Sequence, residues 1–265
     1  MEIVSFWNRC QLTERPFAHP EDREALGKYG GDLLTLDSLD FAAFIGSKRF
    51  NREHDQHFHL SLVPVPYTGS IAKADIFVLN LNPGVNPADY HAEYCVPDFR
   101  QQIEANLRQE SLNAEFPFLY LNPQFCWHSG FAWWESKFRE IATLLAKTRA
   151  LSYYQSLSEL SKRIAAVELF PYHSATFPYG KRMKRELPSS HCARKFVTDT
   201  IIPRAARGEA IVILTRGFQD WKLPAEQIVK CPNPQNVTFS SRSPSGKAIL
   251  TQLGVDLKSV QAASA

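Results

Sequence analysis

Four short, largely apolar runs constrain this chain more than any other feature. Each is closed by a polar turn, and helical patterns lie between and after them. Ile76-Phe77-Val78-Leu79 leads into Asn80-Leu81-Asn82-Pro83-Gly84, and Ala165 to Phe170 leads into Pro171-Tyr172-His173. Ala210 to Thr215 leads into Arg216-Gly217, and Val237-Thr238-Phe239 leads into Ser240 to Gly246. Runs without polar alternation that end in Asn, Pro and Gly read as strands buried on both faces. Helical patterns span Glu135 to Ala146, Ser190 to Arg207 and Gly246 to Leu253. Strands alternating with helices predict a three-layer α/β/α domain around a central, mostly parallel four-stranded sheet. Ligands of such sheets bind beyond the carboxyl ends of the strands. The four polar loops are therefore expected to converge on one site.

Residues 1–60 read as a helical extension packed on that core, and 61–265 as one globular unit. Pro20-Glu21-Asp22-Arg23-Glu24 has the proline and acids of a first helical turn, and Leu36 to Phe44 is a second apolar-periodic piece. The connection from Asn86 to Gly130 is long and crowded with rings, among them Phe118, Tyr120 and Trp127. These either form a hydrophobic subcore under the loop, or one or two of them reach the site and stack on a planar ligand.

The net charge of +3 suggests nothing about partners until it is divided. From Lys181 onward there are 14 Lys and Arg against 6 Asp and Glu, a charge of +8, while residues 1–180 carry 16 against 21, a charge of −5. An uneven field of this kind can draw a polyanion to one face. Lys181, Arg182, Lys184 and Arg185 place four cations in five residues, which suits phosphate contact, and Arg194, Lys195, Arg204 and Arg207 extend the patch. A solvated helix face is the plainer alternative.

The N-terminus lacks a basic start followed by an apolar run, and no stretch approaches a membrane span. Five scattered cysteines without a CxxC pair fit a reducing cytoplasm better than a disulfide framework or a zinc ribbon. His54-Asp55-Gln56-His57-Phe58-His59 has no established metal-ligand spacing, so no metal and no other cofactor is expected.

The loop Asn80-Leu81-Asn82-Pro83-Gly84 after a buried strand resembles the first motif of the uracil-DNA glycosylase superfamily, in its mismatch-specific, thymine-DNA-glycosylase-like branch. That motif reads Gly-Ile-Asn-Pro-Gly, and Asn80 replaces its first glycine. A second match follows the last apolar run. There Ser243-Pro244-Ser245-Gly246 is similar to the Asn-Pro-Ser-Gly of the loop that family members insert into DNA, with Ser243 at the usual His or Asn position and Lys247 in place of an apolar wedge. The resemblance runs from about Ala74 to Leu253 and rests on motifs in order rather than on continuous similarity.

The resemblance implies that Asn82 holds the water that attacks the sugar carbon. It implies a uracil-DNA-glycosylase-like fold, a flipped base beside Asn80, Pro83, Gly84, Glu168 and Tyr172, and DNA contacts from Arg242, Ser243, Pro244, Ser245 and Lys247. Classical uracil enzymes carry a tyrosine at the position of Gly84, where its ring excludes 5-substituted pyrimidines. Glu168 stands where uracil readers place an asparagine. An ionised glutamate only accepts hydrogen bonds, which suits the amino group of cytosine. An internal ion pair would equally explain a glutamate in an apolar strand. His173 is the best titratable group to stabilise the leaving base, or a structural histidine at a strand end.

These residues are similar to those of prokaryotic antiviral glycosylases that remove glucosylated hydroxymethylcytosine from phage DNA. The expectation is a monofunctional enzyme acting on double-stranded DNA, leaving an abasic site, with no membrane and no obligate protein partner. A uracil or thymine mismatch glycosylase, a catalytically silent DNA-binding module, and a small-molecule N-glycosidase are the alternatives.

Overall fold

A computed structural model describes residues 1–28, 39–50, 57–175, 187–231 and 237–256. The fold is mixed α/β, with a mostly parallel five-stranded sheet. The strands are β1 (Tyr67–Thr68), β2 (Ile76–Asn80), β3 (Ile164–Glu168), β4 (Ile211–Leu214) and β5 (Val229–Lys230), in the spatial order β1-β3-β2-β4-β5. β2 and β4 pair in parallel with Ile76 opposite Ile211 and Leu79 opposite Leu214, and β4 pairs in parallel with β5.

Two expectations are corrected. The sheet has five strands rather than four, because two-residue strands flank the three long ones. Val237-Thr238-Phe239 is not a strand. Its apolar residues serve packing instead: Phe239 is buried, and its ring lies 4.8 Å from that of Phe138. The connection from Asn86 also contains helices, Pro87–Cys95 and Pro97–Arg108. Asn86 caps the first and forms a capping box with Asp89, with Pro87 in the first turn.

Contacts divide the chain into two compact units, the first comprising Met1–Thr68, Leu81–Ser111 and Val167–Val197, the second Gly69–Asn80, Leu112–Ala166 and Thr198–Ala265. In the first, the N-terminal residues are tied to the helices around them. Arg108 donates to the carbonyls of Trp7 and Cys10, and Lys195 pairs with Glu2. The stacked rings of Phe44 and Tyr90, 4.0 Å apart, anchor the short helix Phe41–Ile45. In the second, Asp75 receives a two-pronged ion pair from Arg163 and a hydrogen bond from Gln252, which fixes the start of β2 against two helices.

Gly69 and Gly246 are required by close backbone approach. Gly69 has a φ of +87°, and a β-carbon there would lie 2.5 Å from the Ile164 carbonyl oxygen. At Gly246 a β-carbon would lie 1.8 Å from the Ser240 carbonyl oxygen. Among the described residues no helix is long and apolar enough to cross a membrane.

Candidate functional site

The first unit brings the turns after β2 and β3 together through five hydrogen bonds. The Phe170 amide donates to the Leu81 carbonyl at 2.8 Å and the Ser174 amide to the Pro83 carbonyl at 3.1 Å. His173 donates Nδ1–H to the Gly84 carbonyl at 2.7 Å. Asn82 donates from Nδ2 to Ser174 Oγ at 3.0 Å, and also to the Pro83 carbonyl at 2.9 Å. The Ser174 carbonyl is a third acceptor, 3.4 Å away.

Two of these acceptors are carbonyl oxygens, which cannot donate. The amide nitrogen of Asn82 must therefore face them, and Oδ1 must face the other way. Among the described residues no group donates to Oδ1, and Asn82 is half-buried. The result is a fixed acceptor at the end of a buried strand, with its donor side already satisfied. Ser174 has no counterpart in the sequence motifs. The signal that could have found it is its place four residues past the apolar run that ends at Phe170, in a loop expected to meet Asn82.

His173 is 4% exposed. Burial lowers its pKa, against opposing pulls from the Asp89 carboxylate and the Gly84 carbonyl. The ring is thus neutral near pH ~7, with the proton on Nδ1 where the carbonyl accepts it. In this geometry His173 braces the Gly84 backbone. Gly84 itself is exposed, and a β-carbon there would meet nothing within 4 Å. Pro83 is half-buried beside it.

Glu168 ends β3 with its side chain buried, and its amide donates to the Pro66 carbonyl at 2.9 Å. Tyr172 is 1% exposed. Its hydroxyl donates to Asp22 at 2.5 Å and accepts from the His19 amide at 3.1 Å, so the ring belongs to the core of this unit.

The remaining sequence-derived site residues lie in the second unit or outside the described residues. Asn80 is buried, its Oδ1 accepting from Thr215 at 2.6 Å and its carbonyl from Trp221 Nε1 at 3.0 Å. Phe118 and Tyr120 are buried, and Phe118 packs edge-on against Trp134. Trp127 is 45% exposed. Most of the aromatic segment is therefore subcore, and Trp127 is its open ring.

Ser243 caps the helix Pro244–Gln252, accepting from the Gly246 amide at 3.0 Å and donating to the Ser240 carbonyl at 2.9 Å. Ser245 is buried, while Arg242, Pro244 and Lys247 are exposed around it. Lys181, Arg182, Lys184 and Arg185 lie outside the described residues, as do His54, Asp55 and Gln56 of the histidine-rich run. Of the cations that would extend the patch, Lys195 pairs with Glu2 and Arg207 with Glu209, and Arg204 donates to the Ala74 carbonyl. Among the described residues no cluster of three His, Cys, Asp or Glu could hold a metal ion.

Comparison with protein-family models, with curated proteins and with solved structures gives no match.

Proposed function

We propose that this chain is a cytoplasmic, monofunctional DNA glycosylase with a uracil-DNA-glycosylase-like α/β/α core, and that it excises a 5-modified cytosine from double-stranded DNA. Glucosylated hydroxymethylcytosine of phage DNA is the proposed substrate. The observation that carries the reading is the Asn82 amide, held by Pro83 and Ser174 so that Oδ1 is left as a preorganised acceptor.

In the proposed reaction the target nucleotide leaves the stack, at a cost of about a few kcal/mol. Asn82 Oδ1 accepts a hydrogen bond from a water molecule and so turns the lone pair of that water toward the anomeric carbon. The new C–O bond forms as the N-glycosidic bond breaks and the electron pair departs with the base, the attacking water losing a proton to solvent and the anionic base taking one up from solvent. Holding the water in this geometry replaces a bimolecular encounter by a fixed approach, which is where positioning contributes most. Glu168 accepts from the amino edge of cytosine. The open space at Gly84 admits a substituent at the 5-position. His173 serves as a brace for that backbone, so its contribution is geometric. The exposed Arg242 and Lys247 beside the capped turn supply phosphate contacts.

The test is mass spectrometry of bases released from duplexes carrying uracil, a thymine mismatch or 5-hydroxymethylcytosine, and from glucosylated phage DNA. Release of the glucosylated base by the wild-type chain, and none by Asn82→Ala with DNA binding retained, is the expected result. Release by Asn82→Ala at the wild-type rate would overturn the role of Asn82. Release from none of the substrates would overturn the glycosylase reading.

A further inference from the structure

Asp22 is a fully buried carboxylate, and its hydrogen-bond partners are not cations. Oδ2 accepts from the Tyr172 hydroxyl at 2.5 Å, and Oδ1 accepts from the Ser189 amide at 2.9 Å. Burying a carboxylate is costly unless its oxygens are satisfied, so the arrangement calls for a reason beyond filling space. Burial raises the Asp22 pKa, and the bonds from Ser189 and Tyr172 pull it back.

The partners supply that reason. Tyr172 sits between Pro171 and His173 in the turn that carries Ser174. The backbone of this turn is held by 59–65 and by Pro83: the Val65 amide donates to the Pro171 carbonyl at 2.8 Å, the His59 amide to the His173 carbonyl at 2.9 Å, and the Ser174 amide to Pro83. The Tyr172 side chain holds the same turn toward the helix Pro20–Gly27.

Asparagine could not do the same work. It has one acceptor oxygen where aspartate has two. If that oxygen took the Ser189 amide, the Tyr172 hydroxyl would face an NH2 group and lose the acceptor for its proton. Its own oxygen already accepts from His19.

We infer that Asp22 is a positioning residue for the Asn82 site: acting through Tyr172, it fixes the turn whose Ser174 hydroxyl and carbonyl orient the Asn82 amide. The site is then incomplete without the helix Pro20–Gly27. This inference rests on the glycosylase reading for its activity readout only.

The experiment uses the full chain and the variants Asp22→Asn and Tyr172→Phe, with two readouts. The first is the pair of side-chain amide proton signals of Asn82 in ¹⁵N-labelled protein, assigned by their loss in Asn82→Ala. The second is single-turnover base release from glucosylated phage DNA, with DNA affinity measured alongside. In both variants the Asn82 signals are expected to shift, and release to slow by about 10- to 100-fold, the scale on which a small misplacement acts, while DNA affinity holds. The exposed Glu209→Gln is expected to change neither. Tyr172→Phe removes one oxygen and keeps the ring, so it carries the test if Asp22→Asn does not fold. Folded variants with wild-type Asn82 signals and wild-type release would overturn the inference. If the wild-type chain releases no base, the glycosylase reading fails, and the amide signals alone decide the role of Asp22.

Discussion

His173 and Gly84 are joined by a hydrogen bond of 2.7 Å from the imidazole Nδ1 to the backbone carbonyl. Burial holds the His173 pKa below its ordinary 6.5. Between the folded and unfolded values, the unfolded chain binds a proton that the folded chain refuses, so stability falls as pH drops below about 6.5. His173→Asn removes this group. The variant is expected to be less stable than wild type at about pH 7.5, by roughly 1–3 kcal/mol for the lost hydrogen bond and packing. The gap is expected to narrow at about pH 5.5. Urea unfolding of both proteins at the two pH values measures this, and a gap that widens at the lower pH would contradict it.

Glu93 produces the opposite slope. Its carboxylate accepts from the Val63 amide at 2.9 Å and lies 3.3 Å from Arg100. Burial outweighs both partners and pushes its pKa from 4.5 up to about 8. Between those values the folded chain keeps a proton that the unfolded chain has lost, so stability declines as pH rises across that window. Glu93→Gln cannot titrate. Its stability relative to wild type is expected to improve from about pH 5 to about pH 8 in thermal unfolding. A difference that does not change with pH would show that Glu93 is ionised in the folded state.

Two glycines should respond in opposite ways. Gly246→Ala forces a β-carbon into the backbone of Ser240, at 1.8 Å from its carbonyl oxygen, and is expected to cost about 3 kcal/mol. Gly84→Ala meets nothing within 4 Å and is expected to stay within about 0.5 kcal/mol of wild type. Calorimetry of both variants checks the contrast.

Position 84 also carries a prediction about specificity. Gly84→Tyr places a ring in open space, so folding is expected to survive while release of a 5-substituted base is lost. Glu168→Asn exchanges an acceptor for a group that both donates and accepts. It is expected to move preference away from cytosine-type bases by about 10-fold or more, since a mismatched polar contact leaves a buried group unpaired. Base-release panels read both variants, and an unchanged preference in Glu168→Asn would remove Glu168 from base recognition.

The three long strands were legible because their residues are apolar without alternation, and the structure buries them on both faces. The edge strands Tyr67–Thr68 and Val229–Lys230 were not legible, since two residues carry no period. Val237 to Phe239 resembles a strand for a related reason: an apolar run records burial, and here the burial is by packing against the tilted ring of Phe138 rather than by strand pairing. The helix at Pro87 did announce itself, through Asn86, Pro87 and Asp89, but the density of aromatics around it resembled a loop over a subcore. Within the site, Asn82 and the turn around His173 were visible as strand ends. Ser174 and Asp22 were not, because their pairings join residues 92 and 150 positions from their partners and no local pattern encodes such a distance.

The capping of the helix Pro188–Phe196 draws on a distant part of the chain. Its own N-cap is Leu187, which has no side-chain acceptor, so the acceptor at the second helical residue is Asp22, 167 positions earlier. A cap of this kind contributes about 1 kcal/mol, and more where a negative charge meets the helix dipole. This contribution is present only when residues 167 positions apart have come together, so the start of the helix at 188–196 depends on a long-range contact. Removing residues 1–28 would therefore take away the acceptor at Ser189, with fraying of this helix from Pro188 inward as the expected result.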